Sequence, residues 1–179
     1  MTQILGICGS PRANGNSEFA LNTFLSYFGT AEEKVDTVLL SSSEIRMCIG
    51  CLNCEDKGMC PLSDDMAEIS KKMKTSDIIV FSSPSYFDNI PGVFKNFIDR
   101  TNLIIEELKD KKVVILIVGQ ADENSRLAAA SVLKSYCDIA GMEVIGEITF
   151  SGRDIGDLSQ DESVVNQIED LAKRVCESR

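Results

Sequence analysis

The chain of 179 residues contains no histidine. That removes the commonest general base, the usual nucleophilic triads and most single-metal sites together, so the reactivity has to come from a bound cofactor. Long apolar runs are also missing, and no stretch approaches the length needed to cross a bilayer. Met1 leads directly into the strand-like Gln3-Ile4-Leu5-Gly6-Ile7-Cys8, without the basic, apolar and small-residue regions of an export signal. The expectation is a cytoplasmic protein. Positive charge is scarce as well: 18 basic residues face 28 acidic ones, for a formal net charge of −10. Such a surface repels phosphate backbones and anionic lipid alike, so neither nucleic acid nor membrane is expected as a partner. Repeats, low-complexity tracts and Pro- or Ser-rich linkers are absent, and residues 1–179 read as a single domain.

Apolar, β-branched runs occur at Ile4 to Cys8, Val35 to Leu40, Ile78 to Phe81, Val113 to Val118 and Val144 to Phe150. Between them, apolar residues recur at helical spacing: Leu21, Phe24, Leu25 and Phe28; Met66, Ile69 and Met73; Leu133, Tyr136, Cys137 and Ala140; Val164, Ile168, Leu171 and Val175. A further helix from about Gly92 to Asn102 opens with Pro91 in its first turn. Alternating strands and helices predict an α/β fold with a five-stranded parallel sheet, order 2-1-3-4-5, and helices on both faces. Ligands of such sheets bind outside the carboxyl ends of the strands where the order reverses. The loops after Cys8, Phe81 and Val118 are therefore the candidate site.

The first of these loops reads Gly9-Ser10-Pro11-Arg12-Ala13-Asn14-Gly15-Asn16-Ser17 and runs into a helix. Small residues allow close approach of a phosphate, a helix start offers unpaired amides, and Arg12 supplies charge. An ordinary turn in which Asn16 or Ser17 caps the helix is the alternative. Neither G-x-G-x-x-G nor G-x-x-x-x-G-K-[ST] is present, which disfavours dinucleotide and P-loop sites. After the third strand comes Ser82-Ser83-Pro84-Ser85-Tyr86-Phe87-Asp88-Asn89-Ile90-Pro91-Gly92. Its aromatic pair lies either against a flat ring or over the end of the core.

Residues 41–61 form a loop longer than is usual in a compact domain. It holds Cys48, Cys51, Cys54 and Cys60 in a C-x₂-C-x₂-C-x₅-C-P run. Tight two-residue gaps suit a cluster whose irons each take one thiolate. Zinc, whose structural sites more often pair two separated C-x₂-C units, and four free or redox-active thiols are the rivals. Cys8, Cys137 and Cys176 fall in strand and helix patterns and are expected in the packing. Asp65 and Glu68 are spaced as a capping pair for the next helix.

The strings G-S-P-R-x-N-G-N-S at Gly9 to Ser17 and S-P-S-Y-F-D-N-I-P-G-x-x-K-N-F-I-D-R at Ser83 to Arg100 resemble the NAD(P)H-dependent FMN reductase superfamily, within the flavodoxin-like fold. The cysteine quartet narrows the resemblance to its iron–sulfur flavoprotein branch. The likeness implies that Ser10, Arg12, Asn14, Asn16 and Ser17 hold an FMN phosphate, and that Pro84, Ser85, Tyr86, Phe87 and Asp88 lie along the isoalloxazine ring. It places Gly119, at the head of Gly119-Gln120-Ala121-Asp122-Glu123, on the flavin's other side, and a [4Fe-4S] cluster on the four loop cysteines. It further implies a homo-dimer or homo-tetramer. The expected activity is electron transfer between a one-electron carrier of the ferredoxin type and a small-molecule acceptor met at the flavin. An NAD(P)H-dependent reductase of flavin or quinone without a cluster is the second expectation. A redox sensor or zinc-stabilised interaction protein is the alternative from another class.

Overall fold

Strands that are apolar on both faces have to be covered on both faces, and the computed structural model, which describes residues 1–177, is built around that requirement. Strands β1 (Thr2–Cys8), β2 (Glu33–Leu39), β3 (Ile78–Pro84), β4 (Lys112–Gly119) and β5 (Glu143–Ser151) pair in parallel in the order β2-β1-β3-β4-β5. Alternate residues of the central strands feed two separate cores. Leu5, Ile7, Ile79, Phe81, Val113, Ile115 and Ile117 enter one, while Ile4, Cys8, Ile78, Val80, Val114, Leu116 and Val118 enter the other. Each such buried aliphatic or aromatic side chain stabilises the fold by roughly 1.5–3 kcal/mol.

Helices α1 (Asn16–Leu25) and α6 (Glu162–Glu177) cover the second core with Leu21, Phe24, Ile168 and Leu171. The first core is closed by α3 (Met66–Thr75), α4 (Gly92–Arg100) and α5 (Glu123–Ile139). There the Phe81 ring packs 5.6 Å from Phe94 and 6.2 Å from Tyr136, with Phe94 and Phe97 5.8 Å apart. Among the described residues no helix is long and apolar enough to cross a membrane.

Several boundaries differ from the sequence expectation. β3 runs past Phe81 through Ser82 and Ser83, which are fully buried. Their hydroxyls are satisfied locally, Ser82 donating to the Ser17 carbonyl at 2.7 Å and Ser83 to that of Pro84 at 3.0 Å. A buried serine with a partner is tolerated in a strand, but it ends an apolar run on paper. Pro91 is the residue before α4, not inside it, and α1 starts after Gly15 with no side-chain cap. A short helix, α2 (Asn53–Lys57), lies inside the cysteine loop, and α4 continues as a 3₁₀ segment, Thr101–Leu108. Asp65 precedes α3 without capping it, because its carboxylate accepts the Glu44 amide instead. Cys8 and Cys137 are buried as expected, whereas Cys176 lies on the exposed side of α6. The apolar stripe of that helix is carried by Ile168, Leu171, Ala172 and Val175, which leaves Cys176 one step off it.

Candidate functional site

A cavity of about 310 Å³ opens at the carboxyl ends of the sheet, at the lower end of small-molecule sites. It is lined by Ser10, Arg12, Gly15, Asn16 and Ser17 after β1, by Pro84, Ser85 and Tyr86 after β3, and by Val118, Gly119 and Gln120 after β4. Gly152 and Arg153, after β5, complete it. The strand ends bring these loops together because β1, β3, β4 and β5 are parallel neighbours. Gly9 turns the chain out of β1 where nothing larger fits: a Cβ there would stand 2.0 Å from the Phe94 ring.

The α1 end of this cavity has the features that an anionic group needs. Gly15 precedes the helix without a capping side chain, so the first-turn amides stay available and the positive end of the helix dipole faces the cleft. Ser10 and Ser17 are buried beside it. The Ser10 hydroxyl accepts the Arg12 amide at 3.1 Å and so folds the turn. Arg12 donates to the Arg153 carbonyl at 3.2 Å, which ties the loop after β1 to the loop after β5 at the cleft. Asn16 spans to the loop after β5, donating to the Asp154 carbonyl at 2.8 Å and accepting the Gly156 amide at 3.2 Å. It thereby ties the two loops of the cradle together.

The opposite end is built on Ser85, whose amide donates to the Val118 carbonyl at 2.8 Å and whose hydroxyl donates to the Ser125 carbonyl at 3.0 Å. Tyr86 and Asn89 close a two-residue turn through reciprocal amide bonds of 2.8 and 3.1 Å. Its central residues, Phe87 and Asp88, have left-handed φ of 51° and 60°. That is the backbone of a type I′ turn, which Asn-Gly would favour. Phe87 is fully exposed at 103%. Of the residues expected along the ring, Pro84, Ser85, Tyr86 and Gly119 line the cavity, while Phe87 and Asp88 stand outside its lining. Asn14 also stands outside, with φ 54° and its amide donating to Glu18 at 2.7 Å.

The four loop cysteines share a second, larger cavity of about 860 Å³, walled by the loop itself, α4, the 3₁₀ segment after it and α5. Three polar side chains from α4 and its extension hold the loop. Asn96 accepts the Cys48 amide at 3.1 Å and donates to the Ile45 carbonyl at 3.1 Å. Asn102 donates to the Cys54 sulfur at 3.3 Å and to Glu55 at 3.1 Å. Arg100 donates to both oxygens of Asp64, at 2.7 and 3.0 Å, and to the Arg46 carbonyl at 2.6 Å. The pair is desolvated, with side-chain exposures of 3% and 0%. Burial alone would raise the Asp64 carboxyl, but the Arg100 guanidinium and the Arg46 and Met66 amides hold it below the usual carboxylate range.

Among the described residues no three Cys, His, Asp or Glu side chains are gathered around one ion position. Cys48, Cys51, Cys54 and Cys60 all line the one cavity.

Gly152, Arg153, Asn96, Asn102 and the Arg100–Asp64 pair were not singled out from the sequence. Topology gave a clue to the first two, since the end of β5 lies on the edge where the other site loops lie. Asn96 and Asn102 sit on either side of the Arg100 that ends the second motif.

A family model described as NADPH-dependent FMN reductase matches residues 2–155. An iron-sulfur flavoprotein of Methanocaldococcus jannaschii is 31% identical over 98% of this chain and 96% of its own length. One from Methanosarcina thermophila is 30% identical over 98% of this chain and 94% of its own. An FMN-dependent NADH-azoreductase of Bacillus anthracis, solved in complex with FMN, shares the fold, with a TM-score of 0.75 at 19% identity over 98% of this chain and 99% of that one. The match to the family model over most of the chain, with relatives of this identity along nearly all of it, establishes that the protein belongs to the NADPH-dependent FMN reductase family of flavin-dependent oxidoreductases, alongside its iron-sulfur flavoproteins.

Proposed function

We propose that the protein binds FMN in the strand-end cleft, carries an iron–sulfur cluster on Cys48, Cys51, Cys54 and Cys60, and moves electrons between a ferredoxin-like one-electron carrier and a small-molecule acceptor. The observation that carries the flavin part is convergence. Ser10, Arg12, Asn16 and Ser17 from one loop and Pro84, Ser85, Tyr86 and Gly119 from two others line a single cavity at the end of the sheet. The donor chemistry fits: unpaired helix amides, serine hydroxyls and Arg12 answer a phosphate, and the backbone around Ser85 and Gly119 can lie close to a flat ring. The Cβ of a residue at Gly119 would come 3.0 Å from Ser85, so the two walls already meet closely there.

Bound flavin accepts a hydride or releases single electrons, and a cluster exchanges electrons one at a time. The chain's own part is to hold, orient and shield. Arg12 and the α1 amides fix the phosphate end, Pro84 to Tyr86 orient the ring, and Asn96, Asn102 and Arg100 hold the thiolate loop in shape. No side chain is asked to act as acid or base. A cytoplasmic, reducing setting keeps the thiols available as ligands. Exposed Met47, Ile49, Leu52, Met59 and Phe87 support assembly as a homo-dimer or homo-tetramer.

A second reading, an NAD(P)H-dependent FMN or quinone reductase without a cluster, is favoured by the family description itself. Anaerobic purification with iron, sulfide and FMN analysis separates the two. The first gives brown protein with FMN and about four irons and four sulfides per chain. Yellow, iron-free protein that turns over NAD(P)H favours the second. Colourless protein that takes up no FMN at micromolar concentration contradicts both.

A further inference from the structure

We propose that Arg100 and Asn102 are donors to cysteine sulfur, and that their N–H groups raise the reduction potential of the centre held on the loop. The proposal rests on the cluster assignment above. Arg100 carries five N–H donors. Two meet Asp64 and a third meets the Arg46 carbonyl, yet Nε is buried and has no hydrogen-bond partner. An unpaired donor on a guanidinium that is 3% exposed is unusual, because buried polar groups are normally satisfied. The side chain lines the cavity that holds the four cysteines, and the Cys60 sulfur is within range of its charge. Asn102 reaches the neighbouring ligand, with Nδ2 3.3 Å from the Cys54 sulfur.

Cys54 thus receives a side-chain N–H from Asn102, and Cys60 shares its cavity with Arg100, whose Nε is unpartnered. Asp64 holds the guanidinium end-on, which leaves the Nε edge free to face the loop. Donors of this kind withdraw charge from thiolate sulfur and favour the state that carries an extra electron. Arg100 and Asn102 are positioning and tuning residues here, not catalytic ones. Pure scaffolding by Arg100, through Asp64 and Arg46, is the competing explanation, and it leaves the potential where it is.

The test is an EPR-monitored redox titration of the full chain, reconstituted anaerobically with iron, sulfide and FMN, compared with Asn102→Leu and Arg100→Lys. Lysine keeps the charge but loses the planar fork. Each variant is expected to lower the midpoint potential. The reduced-to-oxidised ratio at the wild-type midpoint should fall at least about threefold, or ~28 mV at 59 mV per decade for one electron. Variants with wild-type iron and sulfide whose titrations coincide with wild type overturn the proposal. Should Arg100→Lys fail to fold, Asn102→Leu, at an exposed position, decides alone. Wild-type protein that takes up no iron or sulfide overturns the cluster assignment itself, before any variant is titrated, and this proposal falls with it.

Discussion

Asp64 and Arg100 stand 36 positions apart in the sequence and meet in a bond that neither position announces. Acidic residues at the start of a helix read naturally as caps, and only the packed structure shows that one of them neutralises a buried guanidinium. Breaking a buried pair from one side is costly, since it leaves the other charge without a counter-ion. Asp64→Ala is therefore expected to destabilise the protein by roughly 3–5 kcal/mol, read as a lower midpoint in urea unfolding. The same pair sets an acid limit. Because the folded Asp64 carboxyl lies below its ordinary value, its stabilisation is complete above the unfolded value, about 3.9, and is lost as pH falls through the folded one. Unfolding followed from pH 6 downward should show the wild type losing more stability below about pH 4 than Asp64→Ala does, the variant keeping only the loss from other lowered carboxyls such as Asp36. Thiols divide by the same logic. Burial pushes the Cys8 thiol up to about 11 and the Cys137 thiol up to about 12. In cluster-free protein at pH 8, a thiol reagent should label the exposed Cys48 and Cys51 quickly and reach Cys8 and Cys137 only after denaturation.

At the scale of the element, the strands and helices were legible because apolar periodicity is a local signal. What periodicity could not give were the places where a polar residue continues an element. Ser82 and Ser83 extend β3 by taking carbonyl partners, and Asn53 to Lys57 form a turn of helix among the cysteines. The loop after β1 stood out as a candidate for a different reason, since its residues are contiguous. Its supports were not: Arg12 and Asn16 bond to carbonyls 141 and 138 positions away. The turn after β3 carries its own prediction. Phe87 occupies a left-handed position that costs an L-residue roughly 1–2 kcal/mol. Phe87→Gly should raise the thermal midpoint of the cofactor-free protein. If Phe87 serves the flavin or a second subunit, the same change weakens FMN retention or assembly, measured by fluorescence titration and light scattering. Gly9→Ala should act in the opposite sense, costing about 1–3 kcal/mol as the new methyl group displaces Phe94 from the core beneath the cleft.

For the whole molecule, one α/β sheet with its helices carries two cavities, one at the strand ends and one beside α4 and α5. β3 and α4 connect them: the strand ends in the Pro84–Tyr86 loop that lines the first cavity, and the helix that follows carries Asn96 and Arg100 to the cysteine loop. In a chain of net charge −10, two arginines, Arg12 and Arg153, are among the residues lining the cleft. The central claim is that this cleft grips the flavin by its phosphate as well as by its ring. Calorimetric titration of cofactor-free protein with FMN and with riboflavin, which lacks the phosphate, tests it most directly. The expected result is a micromolar or tighter Kd for FMN and at least about tenfold weaker binding of riboflavin, a difference of about 1.4 kcal/mol. Equal affinity for the two, or no FMN binding below about 1 mM, would contradict it.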